Sequence, residues 1–147
     1  MTLDRSSSLA AQFRRGDDRE MLQLEGIDHV ALAVRDVAQS AAWYVEVLGF
    51  EHRLPGMWDG VPAFVGKGTT ALALFPVGTP EPSARARRSI TMLHLAFRTS
   101  RDGFAAAQHD LAARGIDFHF QDHEISQSIY FRDPDGHELE ITTYEVT

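Results

Sequence analysis

Apolar residues follow two patterns along this chain, and the two patterns occur in the same order in each half. A short apolar run is followed by apolar residues at helical spacing, which stop at a glycine. The helical spacing predicts an amphipathic helix, and the short run before it predicts a strand. In the first half the helical positions are Val37, Ala41, Tyr44, Val45 and Leu48, and the glycine is Gly49.

The first half, residues 24–76, is predicted to have the order βαβββ. Asp36 is expected to cap the helix, because its carboxylate can accept a hydrogen bond from the backbone of Gln39. Both faces of the first strand are largely apolar, so we expect this strand to be buried on both sides. The predicted strands are 26–34, 50–54, 61–66 and 70–75.

The second half, residues 90–147, predicts the same order of elements. Thr99 or Ser100 is expected to cap its helix, 102–114. The sequence Asp-Pro-Asp-Gly at 133–136 predicts a tight turn, because proline presets one backbone angle and glycine accepts a positive one. The predicted strands are 91–98, 116–121, 127–132 and 138–143.

The two halves form an internal repeat. Matching residues recur at offsets of 65, 66 and 67 positions, in the pairs His29 and His94, Gly49 and Gly115, and Ala73 and Glu140. Modules of this size bury too little apolar surface to be stable alone, so the two should share one core. We therefore predict an α+β fold of two paired βαβββ modules, which form a cupped mixed sheet with the helices on the outside.

Composition and charge exclude several classes of partner. The chain has 147 residues, of which 44% are hydrophobic, and a net charge of −7. Such an acidic chain is not expected to bind nucleic acid or an anionic membrane, because both favour a basic surface. Residues 1–23 are predicted to be a mobile extension, and residues 77–89 a linker between the modules. We see no apolar segment typical of a membrane span or a secretion signal, so we expect a cytoplasmic protein.

The chain has no cysteine, so any metal site must use histidine, aspartate or glutamate. A histidine inside a strand is more often structural, and a strand carboxylate is more often a solvated charge. The repeat favours the ligand interpretation, because His29 and His94 take equivalent places and Glu140 lies on the last strand. Two imidazoles and one carboxylate suit a catalytic divalent metal. Ala73 takes the place where a second carboxylate would stand.

Several segments resemble the vicinal oxygen chelate superfamily, also called the glyoxalase, bleomycin-resistance and dioxygenase superfamily. They are 28–32 (DHVAL), 43–44 (WY) with 48–50 (LGF), 94–97 (HLAF) and 130–140 (YFRDPDGHELE). The resemblance covers residues 24–146 and implies a divalent metal held by His29, His94 and Glu140. Fe(II) or Mn(II) is the expected metal, and Zn(II), Ni(II) and Co(II) suit the same ligands. A small-molecule substrate and a homodimer are also implied, with each site built within one chain or across two.

The ligand pattern bears on the class of reaction. Glyoxalase I enzymes have a second glutamate where this chain has Ala73, so the three ligands resemble those of extradiol dioxygenases and fosfomycin thiol transferases. Tyr130 matches a tyrosine of the dioxygenases that contacts the substrate oxygens. His119 or His123 falls near a further active-site histidine of that group, which implies a role in proton transfer.

We predict a metal-dependent enzyme with an extradiol-dioxygenase-like reaction. One departure favours other members of the superfamily. The acid–base histidine of the dioxygenases lies shortly before their second metal histidine, and this chain has no histidine between His52 and His94. The alternatives are a glyoxalase-like lyase or isomerase, a fosfomycin-type thiol transferase, and a metal-free drug-binding protein. The apolar side chains expected to line the substrate pocket are Trp43, Met57, Trp58, Phe64 and Phe120.

Overall fold

The computed structural model describes residues 25–78 and 92–146. The predicted extension, 1–23, and most of the predicted linker, 77–89, lie outside the described residues. In the two described segments, no helix is long and apolar enough to cross a membrane. The elements in chain order are β1 (Val30–Val34), α1 (Val37–Leu48), β2 (Glu51–Arg53), a 3-10 turn (Met57–Gly60), β3 (Ala63–Lys67), β4 (Thr70–Pro76), β5 (Leu95–Arg98), α2 (Arg101–Ala113), β6 (His119–Asp122), β7 (Gln127–Arg132) and β8 (Glu138–Thr143).

The strands form two four-stranded sheets with the same topology. The first has the order β1-β4-β3-β2 and the second β5-β8-β7-β6. In each sheet the first strand of the module pairs in parallel with the last, and the remaining pairs are antiparallel. The prediction of an α+β fold with two βαβββ modules is therefore confirmed.

Strand register confirms the alignment of the repeat. Ala31 pairs with Ala73 between β1 and β4, and Ala96 pairs with Glu140 between β5 and β8. Ala31 and Ala96 each lie two residues after the histidine of their module. Ala73 and Glu140 consequently occupy equivalent places in the two sheets.

Both helices begin and end as the cap residues predict. The Asp36 carboxylate accepts a hydrogen bond of 2.9 Å from the Gln39 backbone, and Gly49 ends α1 with a φ of +67°. That backbone angle favours glycine, which lacks a Cβ. Of the two candidates for the second cap, Ser100 takes the role, accepting a 3.1 Å hydrogen bond from the Gly103 backbone.

Aromatic side chains join the two modules into one core. Trp43 of α1 lies 6.4 Å from Phe131 of β7, measured between ring centroids, and Phe50 lies 5.7 Å from Phe97. These residues belong to one continuous cluster of apolar side chains that spans both modules. The shared core expected from the small size of each module is thus present.

A polar contact also fastens α1 to the turn at 133–136. The Tyr44 hydroxyl donates a 2.7 Å hydrogen bond to the buried Asp133 carboxylate, which also lies 2.7 Å from the His137 ring nitrogen. Arg35 donates to Asp135 from its backbone and from its side chain. We call these residues, Arg35, Tyr44, Asp133, Asp135 and His137, the inter-module clasp.

Some predicted strand limits were wrong, and one of these differences concerns the candidate ligands. β1 begins at Val30 and β5 begins at Leu95, later than the predicted starts at 26 and 91. His29 and His94 therefore precede their strands instead of lying inside them. β6 likewise begins at His119, three residues later than predicted.

The expectation that β1 is buried on both faces was also wrong. Leu32 and Val34 are buried in the core, whereas Ala31 and Ala33 are exposed. Alternating side chains of a strand point to opposite faces of the sheet, and α1 covers only one face of this one. The other face of β1, which continues toward His29, is open.

Candidate metal and substrate site

The candidate site lies on one face of the second sheet. Glu140 of β8 pairs with Tyr130 of β7, and Tyr130 pairs with His119 of β6. Residues that pair directly across strands point to the same face. We call this surface, with Ser128 and His94, the polar face; the opposite face carries Leu139 and Ile129, which are buried in the core.

Glu140 is the buried carboxylate of the polar face, with 7% of its surface exposed. One carboxylate oxygen, Oε2, lies 2.9 Å from the His94 Nε2 atom. The other, Oε1, accepts a hydrogen bond of 2.5 Å from the Ser128 hydroxyl. A carboxylate can be buried at this depth because both of its oxygens have polar partners.

The His94 ring lies between Glu140 and the open side of the sheet. Its side chain is 39% exposed, so the ring is accessible from solvent. The ring is also held edge-on against Tyr130, with centroids 5.6 Å apart. An imidazole nitrogen and a carboxylate oxygen thus meet at a place that a small molecule or ion can reach.

Tyr130 is flanked by the two histidines predicted to act with it. Its hydroxyl lies 3.1 Å from His123 Nε2, and its ring stacks on the His119 ring at 4.9 Å. Burial raises the pKa of the Tyr130 hydroxyl above its ordinary value, and the nearby Glu140 carboxylate raises it further. Its hydroxyl is therefore neutral and able to donate a hydrogen bond.

His29, the third predicted ligand, lies apart from this pair. Its ring nitrogen is 2.7 Å from the Asp28 carboxylate, and its ring meets Phe64 edge-on at 5.2 Å. Within residues 25–78 and 92–146, no group of three or more histidine, aspartate or glutamate side chains is placed to hold a metal. One chain therefore brings together two of the three predicted ligands.

Two predicted pocket residues lie near His29. Phe64 contacts the histidine and lies 5.5 Å from Trp58, measured between ring centroids. Trp58 and Met57 belong to the 3-10 turn and are about half exposed. Trp58, Phe64 and His29 form an aromatic row on the first module.

The remaining predicted pocket residues, Trp43 and Phe120, lie elsewhere. Trp43 packs between Tyr44 and Phe131 at the junction of the modules. Phe120 contacts Phe104 of α2 and points away from the polar face, since it is the next residue after His119 in β6. The structure does not gather the five predicted residues into one trough within a chain.

Ser128 is a residue of the site that the sequence reasoning missed. It lies two positions before Tyr130 in β7, so the period-2 alternation of a strand places both on one face. That alternation was readable from the sequence. What the sequence did not show is that Ser128 reaches Glu140 on the neighbouring strand.

Comparison with known proteins places this architecture in a family. The family model described as "Glyoxalase/Bleomycin resistance protein/Dioxygenase superfamily" matches residues 26–141. The uncharacterized protein YaeR of Escherichia coli (strain K12) is 29% identical over an alignment of 130 positions, which covers 82% of this chain and 98% of that protein. The metallothiol transferase FosB of Lysinibacillus sphaericus is 30% identical over an alignment of 125 positions, which covers 83% of this chain and 84% of that protein.

A solved structure shows the same fold. A glyoxalase/dioxygenase from Nostoc punctiforme superposes with a TM-score of 0.66 at 25% identity, covering 87% of this chain and 99% of that one. Its likeness extends through both βαβββ modules, as does the family match, and the resemblance inferred from the motifs is confirmed. The chain belongs to the Glyoxalase/Bleomycin resistance protein/Dioxygenase superfamily, also called the vicinal oxygen chelate superfamily.

Proposed function

We propose that this protein is a divalent-metal-dependent enzyme that acts on a small molecule with neighbouring oxygen atoms. The observation that carries the proposal is the pair of His94 and Glu140, with Nε2 and Oε2 2.9 Å apart on an accessible face. Nitrogen and oxygen donors of this kind suit Fe(II), Mn(II), Zn(II), Ni(II) or Co(II). We favour Fe(II) or Mn(II).

The donor chemistry of the pair fits a metal ion. Glu140 is held on one oxygen by Ser128, and its other oxygen is directed at the accessible imidazole. When bound, a divalent metal would polarise substrate oxygens as a Lewis acid. Tyr130, with its hydroxyl placed by His123, is proposed to hydrogen-bond a substrate oxygen and orient it.

His29 is proposed to complete the site from a second copy of the chain. Among the described strands, β1 and β5 each form one edge of their sheet, with one side unpaired, and β2 and β6 form the other edges. Unpaired edges favour pairing with another chain. If β1 of one copy lies beside β5 of another, His29 and His94, which hold equivalent places in the repeat, come to the same part of a continuous cupped sheet.

Thiol transfer is the reaction we favour. The 30% identical relative is named a metallothiol transferase. Ala73 replaces the second carboxylate expected of a glyoxalase, and the acid–base histidine expected of a dioxygenase is missing. With an epoxide as acceptor, the thiolate sulfur would bond to an epoxide carbon, the carbon–oxygen bond would break with its electrons on oxygen, and that oxygen would take a proton.

An extradiol dioxygenase is the second candidate. The arrangement of Tyr130, His119 and His123 beside the His94–Glu140 pair favours it. In that reaction both atoms of O₂ would enter a catechol as a ring carbon–carbon bond breaks. Oxygen uptake with a panel of catechols and Fe(II) separates the two candidates from each other, because thiol transfer consumes free thiol and no oxygen.

Metal analysis tests the shared part of the proposal. Protein purified without added metal should contain a divalent ion or bind Mn(II), and His94→Ala should abolish that binding. His109→Ala, which changes an exposed histidine of α2, is the matched control and should bind as the wild type does. Absence of binding by the wild type, or equal binding by His94→Ala, would refute the proposal.

A further inference from the structure

Ser128 is a fully buried serine whose hydroxyl is directed at the candidate metal ligand. It has no exposed surface, and its Oγ atom lies 2.5 Å from Glu140 Oε1. The same oxygen lies 3.0 Å from the Thr142 hydroxyl, on the strand that carries Glu140. A distance of 2.5 Å is at the short end for a hydroxyl bonded to a carboxylate, which marks a charge-assisted hydrogen bond.

We infer that Ser128 is a positioning residue, which turns the Glu140 carboxylate so that Oε2 alone is presented to a metal ion. This inference rests on the proposed function, in which Glu140 is a metal ligand. Ser128 itself would not contact the metal or the substrate. Ser128 would affect metal binding only by setting the orientation of the Glu140 carboxylate.

The need for such a residue follows from the rotational freedom of glutamate. The last side-chain torsion of glutamate joins an sp³ to an sp² carbon and has a broad, shallow energy profile. Packing of the aliphatic part of Glu140 therefore does not determine which oxygen faces His94. A hydrogen bond to one oxygen removes that freedom.

Among the cross-strand neighbours of Glu140, Ser128 is placed to donate that hydrogen bond to its carboxylate. On the β5 side, Glu140 pairs with Ala96, whose methyl group cannot donate a hydrogen bond. On the β7 side, it pairs with Tyr130, and Ser128 lies two residues away on the same face. A hydroxyl carries one proton, and the 2.5 Å contact assigns that proton to Glu140.

Ser128 also acts at low dielectric, where a single hydrogen bond has a large effect. Ser128 and Glu140 are both buried. Loss of the hydroxyl would leave Oε1 without this donor, and the carboxylate could turn to offer either oxygen, or both, to a metal. Groups that orient a metal ligand typically change metal affinity by about 10- to 100-fold.

The test compares Ser128→Thr with Ser128→Val, using Mn(II) or Co(II) alone as the probe. Threonine and valine are both β-branched and differ in one hydroxyl, so any steric effect of the larger side chain is shared. We expect Ser128→Thr to bind the metal within a few-fold of the wild type and Ser128→Val to bind it about 10- to 100-fold more weakly. The spectrum of bound Co(II) should also change in Ser128→Val, because the coordination by the carboxylate changes.

Ser128→Ala gives a second measurement that avoids the added bulk. Its metal affinity should fall as in Ser128→Val. Ser40→Ala is the control, since Ser40 has a buried hydroxyl without a hydrogen-bond partner among the described residues. It should leave metal affinity and the Co(II) spectrum unchanged. Wild-type affinity in folded Ser128→Ala and Ser128→Val would overturn the inference.

Glu140→Ala separates failure of this inference from failure of the proposed function. If Glu140→Ala binds metal as the wild type does, Glu140 is not a ligand and both are refuted. If Glu140→Ala loses binding while the variants at Ser128 keep it, the proposed function stands and the role of Ser128 is refuted.

Discussion

Glu140 is stable in its buried position because of its neighbours. A lone ionised carboxylate would be costly at this depth, but His94 and Ser128 each contact one of its oxygens. At the scale of single residues, this is the combination expected of a carboxylate kept for binding. Ala73, its equivalent in the first module, is fully buried and needs no partner.

Replacing Glu140 should remove metal binding. Removing an orienting group costs about 10- to 100-fold in affinity, so removing a ligand should cost more than about 100-fold. We expect Glu140→Ala to show this loss when titrated with Mn(II). Glu138→Ala is a matched control on the same strand, where the carboxylate lies 3.4 Å from an Arg132 nitrogen, and it should retain binding.

At the scale of elements, contacts between helix α1 and the turn at 133–136 add to the shared apolar core in joining the two modules. The inter-module clasp buries the Asp133 carboxylate under four hydrogen-bonding contacts, from Tyr44, from the His137 ring, and from the backbones of Asp135 and His137. The clasp joins the first module to the hairpin that carries Glu140. The position of Glu140 therefore depends on contacts made by an element of the other module.

Removing the Tyr44 hydroxyl should destabilise the fold. Tyr44→Phe keeps the packed ring but deprives the buried Asp133 carboxylate of one donor. We expect the free energy of unfolding to fall by about 1–3 kcal/mol, measured by urea denaturation at pH 7. Tyr144→Phe, at a half-exposed tyrosine, should change it by less than about 0.5 kcal/mol. Equal effects of the two variants would contradict the role of the clasp.

The clasp should also make the free energy of unfolding depend on pH in the alkaline range. Burial raises the pKa of the Tyr44 hydroxyl far above its ordinary value, and the Asp133 carboxylate raises it further. Since the folded pKa exceeds the unfolded one, the stabilisation is fully present below pH about 10 and is lost as the pH rises above it.

Unfolding measurements from pH 8 to pH 11 test this expectation. Above pH about 10, the free energy of unfolding of the wild type should fall by up to ~1.4 kcal/mol per pH unit relative to Tyr44→Phe. Tyr144→Phe should follow the wild type. Parallel curves for the wild type and Tyr44→Phe would show that Tyr44 does not titrate in this way.

At the scale of the whole molecule, the third candidate ligand, His29, lies apart from the other two candidates. His29 lies at the open edge of the first sheet, and His94 lies at the equivalent edge of the second. The aromatic row of Trp58 and Phe64 accompanies His29 and so is separated from the polar face as well. A homodimer that pairs β1 with β5 would unite both sets.

Mixing two defective variants tests whether sites are shared between chains. His29→Ala and Glu140→Ala should each fail to bind Mn(II) tightly. The two variants are mixed, unfolded and refolded, so that about half of the dimers contain one chain of each kind. If sites are shared, each such hybrid has one intact site out of two. The mixture should therefore regain about a quarter of the wild-type sites. No recovery would show that sites are not shared, and refolded wild type gives the reference value.

The sequence alone determined the elements and their repetition. Helix caps, turn residues and apolar spacing act through neighbours a few positions apart, so Asp36, Gly49 and the turn at 133–136 were predictable without a structure. The match of Ala73 with Glu140 was also readable, because the two modules keep nearly the same length. Strand limits were less predictable, since the backbone pairing of β1 and β5, which sets their first residues, depends on distant strands.

The tertiary structure decided which of the candidate residues meet. Glu140 lies on β8, Ser128 and Tyr130 lie on β7, and His94 directly precedes β5. Their distances follow from strand register, which the sequence does not state. His29 belongs to the first module, which contacts the second through α1 and the turn at 133–136, so its place relative to His94 depends on how the modules dock. Convergence of side chains far apart in sequence depends on strand pairing within a module and on docking between modules, whereas the identity and repetition of the side chains are properties of the sequence.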